Sequence, residues 1–178
     1  LVAGIFALGN SSDMFLLLRA RELGVPQEQI PLLWAAISLV TTIFGTPLSA
    51  LSDSMQRKHF ILIAWFAFAF FYIGMSVPSA GVYQVFGLFI VYGLFKAAVE
   101  GVEKALVADL APKGLTGTAF GWFNLINGFM LLPASIIFGW IYESISPSYA
   151  FIFSGSCAVI AILLMAFWVF KKSPKEEL

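Results

Sequence analysis

Six apolar runs, separated by short polar joints, make up most of the chain. They cover residues 1–18, 31–52, 60–77, 82–108, 116–142 and 149–170. A helix needs about 20 residues to cross a hydrocarbon core of ~30 Å, and the runs are of that order. They are continuous, and longer than the ~10-residue alternating strands of a membrane barrel. The pattern therefore predicts an all-α membrane protein with six transmembrane helices, arranged as one domain over residues 1–178.

The polar positions inside these runs sort them into three kinds. The first run holds Asn10 and Asp13, and the fourth holds Lys96, Glu100, Glu103 and Lys104 with no turn signal between them. The second run carries Ser38, Thr42, Gly45, Ser49 and Ser52 in a stripe, and the fifth carries Gly117, Gly121, Asn124 and Gly128. Small residues let membrane helices approach closely, so Gly45, Ser49, Gly117, Gly121, Asn124 and Gly128 are expected to pack helices together. Pro47 and Pro133 interrupt these two helices and predict a kink in each. The third and sixth runs hold no charge and are rich in Phe, Trp, Ile and Leu, which suits lipid.

The order polar, small-striped, apolar thus occurs twice. Polar loops of similar length, 19–29 and 109–115, fall on opposite sides. Both features predict two inverted three-helix repeats. A charge inside an apolar helix usually faces a bundle interior or a watery cavity, so runs one and four are expected to share one. Counting rise per residue puts Lys96 roughly 22 Å below Gly81 and Asp13 roughly 9 Å below Arg19. That difference, on the order of 10 Å, predicts that Asp13 and Lys96 are not direct partners.

Composition sharpens the class. Charged residues are 11% of the chain, against about 25% in soluble domains. Ten basic and ten acidic residues cancel, and no basic excess argues for a nucleic-acid partner. With one cysteine, Cys157, and one histidine, His59, no intrachain disulfide, Cys/His metal cluster or Ser-His-Asp triad is expected. No metal or other cofactor and no enzymatic activity are expected.

Basic residues cluster at one side: Arg57, Lys58, Lys104, Lys113, Lys171, Lys172 and Lys175. The other side has Arg19 and Arg21. The positive-inside rule puts the first side, and both termini, in the cytoplasm. The chain opens mid-pattern at Leu1, without Met, and is expected to be a fragment or one half of something longer.

Two constellations carry candidate chemistry. Lys96 with Glu100 reads as a substrate or proton-coupling site, or as a self-neutralising pair at i, i+4. Asp13 with Asn10 reads as a substrate contact or proton carrier, or else as a packing group or a partner of Arg19. Trp34, Trp122, Trp140 and Tyr142 read as packing or interface anchors.

The stretch Ser49-Ala50-Leu51-Ser52-Asp53-Ser54-Met55-Gln56-Arg57-Lys58 resembles the loop signature of the major facilitator superfamily (MFS). That signature has a glycine, an aspartate four residues on, and a glycine-arginine-lysine cluster. Asp53, Arg57 and Lys58 match; Ser49 and Gln56 replace glycines, and Ser54 stands where arginine is common. Such degeneracy is expected of the second copy, between helices eight and nine of a twelve-helix transporter.

The stretch from Glu100 to Pro112, followed by Gly117-Thr118-Ala119-Phe120-Gly121, is similar to the loop between helices ten and eleven of bacterial members. There Thr116 stands where arginine commonly precedes the glycine. The stretch Phe6 to Asp13 is similar to the seventh helix of a poorly characterised bacterial branch.

The resemblance covers the whole chain and implies the C-terminal six-helix half of a secondary transporter. It implies that helices one and four line the cavity, two and five flank the other half, and three and six face lipid. It also implies that Asp53, Arg57 and Lys58 latch one conformation, with Glu103 and Asp109 as partners across the cytoplasmic face. Expected partners are the lipid bilayer, an N-terminal six-helix half or a second copy, and a small-molecule substrate, with H+ as a coupling ion through Asp13 or Glu100. The expected location is a bacterial cytoplasmic membrane. The rival functions are a non-transporting membrane scaffold or sensor, and an intramembrane enzyme.

Overall fold

A computed structural model describes residues 2–54, 57–78, 81–112 and 114–171. Among them it is all helical: α1 (Val2–Gly9), α2 (Met14–Glu22), α3 (Ile30–Ser54), α4 (Arg57–Ser76), α5 (Val82–Leu110), α6 (Thr116–Ser144) and α7 (Pro147–Lys171). A short 3₁₀ turn, Gln27–Gln29, leads into α3. Helices α3 to α7 are each long and apolar enough to cross a membrane. Pro47 and Pro133 lie inside α3 and α6.

The first predicted helix is the exception. It is two helices, of 8 and 9 residues, with a break at 10–13. Each alone is only about 12–14 Å long at 1.5 Å per residue. The reason lies in Asn10-Ser11-Ser12-Asp13: short polar side chains compete with the helix for backbone hydrogen bonds. The Asn10 N–H closes a tight turn on the Ala7 carbonyl at 3.1 Å, and the Ser12 N–H donates to Ser135 Oγ of α6 at 3.2 Å. The second helix also runs further than expected, to Glu22, and Gly24 (φ 93°) turns the chain after it.

Packing follows a paired scheme. Helix α3 lies on α5, and α6 lies on α1; α4 lies on α5, and α7 lies on α1; α4 and α7 pack on each other. Close approach is built in at two contacts. A Cβ on Gly9 would stand 2.9 Å from both the Cys157 Cβ and the Ser154 carbonyl of α7, and one on Gly93 would stand 3.0 Å from Val40 of α3.

The centre is aromatic. Phe6 stacks on Trp65 with ring centroids 4.4 Å apart, Phe68 on Tyr72 at 4.3 Å, and Phe71 on Tyr92 at 4.6 Å. Phe151 of α7 closes the cluster against Tyr72 and Phe138.

This arrangement corrects the sorting of helices by charge. Helix α4, expected at the lipid, is among the most buried, with Phe68, Phe71, Tyr72 and Met75 fully enclosed. Among its described side chains only the stripe Ile63, Phe66, Phe70 and Ile73 is exposed, and α7 likewise exposes Ile152, Ile160, Leu163 and Phe167. Lacking charge does not mark a lipid face, because protein interior and hydrocarbon are equally apolar.

The helices expected to pack through small residues, α3 and α6, are the most exposed. A Cβ added to Gly45, Gly117, Gly121 or Gly128 would meet no atom within 4 Å, and Asn124 is exposed. Of that set only Ser49 is engaged, against Gly101 of α5.

Candidate functional site

A cleft of about 550 Å³ opens between α1, α3 and α5. Its lining includes Asn10, Trp34, Thr41, Lys96, Glu100 and Glu103. On α5 the last three fall on one face, at spacings of four and three.

Asp13, at the N-terminal end of α2, is tied to this cleft through Lys96. Lys96 Nζ donates to Asp13 Oδ2 at 2.5 Å, and Tyr92 OH donates to Asp13 Oδ1 at 2.6 Å. Lys96 also lies 5.7 Å from the Trp34 ring centroid and 5.5 Å from that of Tyr92, within range of cation–π attraction. The pair is neither enclosed nor free: the Lys96 and Asp13 side chains are 33% and 24% exposed.

The expectation that Asp13 and Lys96 stand apart is therefore wrong. The depth count placed Arg19 at the surface, but α2 continues past it to Glu22, which sets Asp13 deeper. Helical side chains also lean toward the N-terminus of their helix, so Lys96 reaches back along α5 in the direction of Asp13.

Nor does Lys96 pair with Glu100. Glu100 is paired with Lys104 at 3.5 Å, where both side chains are more than 60% exposed. That order, Glu before Lys at i, i+4, is the better one on a helix.

Arg19 does not pair with Asp13 either. It is 6% exposed and ties three elements together. Its Nε donates to the Met75 carbonyl at 3.0 Å and its Nη2 to the Ser76 carbonyl at 3.5 Å, at the end of α4. The same Nη2 donates to Ser148 Oγ at the start of α7 at 3.2 Å, and Nη1 meets Glu22 at 3.2 Å. A cation on the last carbonyls of a helix also suits its dipole.

The remaining predicted residues distribute as follows. Asn10 and Glu100 line the cleft, and so does Glu103, which was expected as a gating partner. Asp109 is exposed in the last turn of α5. The side chains of Asp53, Arg57 and Lys58 lie outside the described residues. Tyr92 was missed, although it stands one turn before Lys96 and so on the same face. Trp34, read as an anchor, faces Lys96 across the cleft.

The described residues thus form an all-helical bundle with membrane-length apolar helices and an ion pair beside an open cleft. The family model described as Major Facilitator Superfamily matches residues 1–178, and the chain belongs to that family. It is an integral membrane protein, and its family points to transport rather than catalysis.

Two relatives come from Methanocaldococcus jannaschii. One, named Uncharacterized MFS-type transporter MJ1317, is 33% identical over 173 residues, covering 94% of this chain and 43% of the relative. The other, Uncharacterized MFS-type transporter MJ1560, is 29% identical over 150 residues, covering 82% and 37%. The chain thus spans about two fifths of the length of these relatives. Both are archaeal.

Proposed function

We propose that this chain is one half of a secondary transporter that moves a small solute across a membrane by alternating access. The observation that carries the reading is the Asp13–Lys96 pair on the margin of the cleft between α1, α3 and α5. Charges inside membrane helices are expensive and mark substrate or ion pathways. The paired packing scheme supports two inverted repeats, with α1–α2, α3 and α4 matched by α5, α6 and α7. In this reading α1 and α2 together form the sixth crossing, and the break at 10–13 is the discontinuity from which transporter sites are often built.

The exposed faces of α3 and α6 are where a second half, or a second copy, completes the cavity. Trp122, Leu125, Phe129 and Leu132 of α6 are all exposed, which leaves that face open to such a partner. Gly45, Gly117, Gly121, Asn124 and Gly128 would pack against that partner. The basic end carrying Lys104 faces the cytoplasm, with both termini there. Asp53, Arg57 and Lys58 act as a latch at that end, with Glu103 and Asp109 as their partners across the cytoplasmic face.

The test is radiolabelled uptake into proteoliposomes by the full transporter. Lys96→Ala and Asp13→Asn variants that still reach the membrane should lose uptake at least about tenfold. Uptake unchanged in both variants, or absent from the unaltered protein across a broad solute panel, overturns the reading in favour of a scaffold or sensor. Proton coupling through Asp13 or Glu100 predicts dependence on an imposed pH gradient, and a flat response removes it.

A further inference from the structure

We infer that the cleft between α1, α3 and α5 takes an organic cation that carries hydrogen-bond donors on an apolar or aromatic body. This rests on the transport reading for its biology, but the binding chemistry stands on the cleft alone. The argument comes from which charges and which lone pairs are left over.

Among the described residues Lys96 is the one cation lining the cleft, and its charge is already met. Asp13 takes it at 2.5 Å, and the faces of Trp34 and Tyr92 flank it. An anionic solute would have to displace Asp13, whose other oxygen is held by Tyr92.

The other end of the α5 face has the opposite balance. Glu100 has Lys104 as a loose, exposed partner. Glu103, half-buried and two turns from Lys96, has no hydrogen-bond or ion-pair partner among the described residues. A half-buried carboxylate without a counter-ion is costly, and an incoming cation would supply one.

The hydroxyls add to this. Thr41 Oγ1 donates to the Ile37 carbonyl and Thr42 Oγ1 to the Ser38 carbonyl, each at 2.8 Å. Their protons are therefore directed at the α3 backbone, and only lone pairs remain for the cleft. With two carboxylates and two such hydroxyls, the wall is rich in acceptors. Phe6, Phe95, Ile37 and Val99 supply the apolar part of the same wall. A volume of about 550 Å³ is that of a small-molecule site.

A charge series on one ring tests this: benzamidinium, benzamide and benzoate, titrated calorimetrically against the full transporter in lipid nanodiscs. Benzamidinium should bind about tenfold more tightly than benzamide, with benzoate weakest, because only the cation adds charge-assisted hydrogen bonds. Glu103→Gln, nearly isosteric, should erase the preference of benzamidinium over benzamide. Thr42→Val should weaken benzamidinium without helping benzoate, and provides a readout if the first variant folds poorly.

Benzoate binding as tightly as benzamidinium, no binding of any of the three, or a cation preference untouched by Glu103→Gln overturns the inference. Loss of the charge order with uptake still dependent on Asp13 and Lys96 removes only the substrate class. The predicted order with no solute crossing the membrane removes the transport reading and leaves the cation site standing.

Discussion

Arg19 and Lys96 are both cations set among apolar helices and both meet a carboxylate, but the rest of their surroundings differs. Arg19 is closed in, with its donors on the last carbonyls of α4, on Ser148 and on Glu22. Lys96 is one third exposed, holds one carboxylate, and borders open volume. The first arrangement fastens α2, α4 and α7 together, and nothing in it is left to bind a solute. The second keeps a charge in reach of a solute while a neighbour neutralises it. A buried charge is thus assigned to structure or to function by what fills the space around it, not by depth.

The sharpest way to break this contrast is Arg19→Ala. It leaves the Met75 and Ser76 carbonyls and Glu22 without their donor, at roughly 3 kcal/mol. Thermal unfolding in detergent should show a large fall in midpoint, and a fall no greater than that of Asp13→Asn would erase the distinction. Tyr92→Phe comes next, at about 1.5 kcal/mol, since it removes a hydrogen bond to a charged acceptor. Uptake should fall with it, because Asp13 loses the donor that fixes its second oxygen; an unchanged rate would show that Asp13 needs no such orientation.

Asp13→Asn should lower stability by only about 1 kcal/mol, given partial exposure of the pair. It should nonetheless have the larger effect on uptake, so a stability loss matching that of Arg19→Ala would move Lys96 into the structural class. Smallest is Glu100→Gln, at ~0.3 kcal/mol for an exposed i, i+4 pair, read in the same unfolding experiment.

Much of the fold was legible because apolar run length depends only on bilayer thickness, and five of the runs are single helices. The break at 10–13 was legible in principle, since four consecutive residues there favour turns over helix. It was hidden by the assumption that an apolar run is straight. The Asp13–Lys96 contact joins residues 83 apart in the chain, and no local pattern encodes such a pairing. The stripes of small residues show that something comes close, but not which body does. The same gap explains α4: aromatic residues without charges satisfy lipid and protein interior alike, and only its contacts with α5 and α7 decide.

Helix α6 is 29 residues long and mostly apolar, with Asn124, Asn127 and the near-terminal Glu143 as its main polar positions. At 1.5 Å per residue it measures about 43 Å, well beyond a ~30 Å hydrocarbon slab. It must lean steeply or stand proud at one face, so the thickness of the surrounding membrane bears on its angle. A thin, short-chain bilayer and a thick, sterol-like one should therefore hold α6 at different tilts.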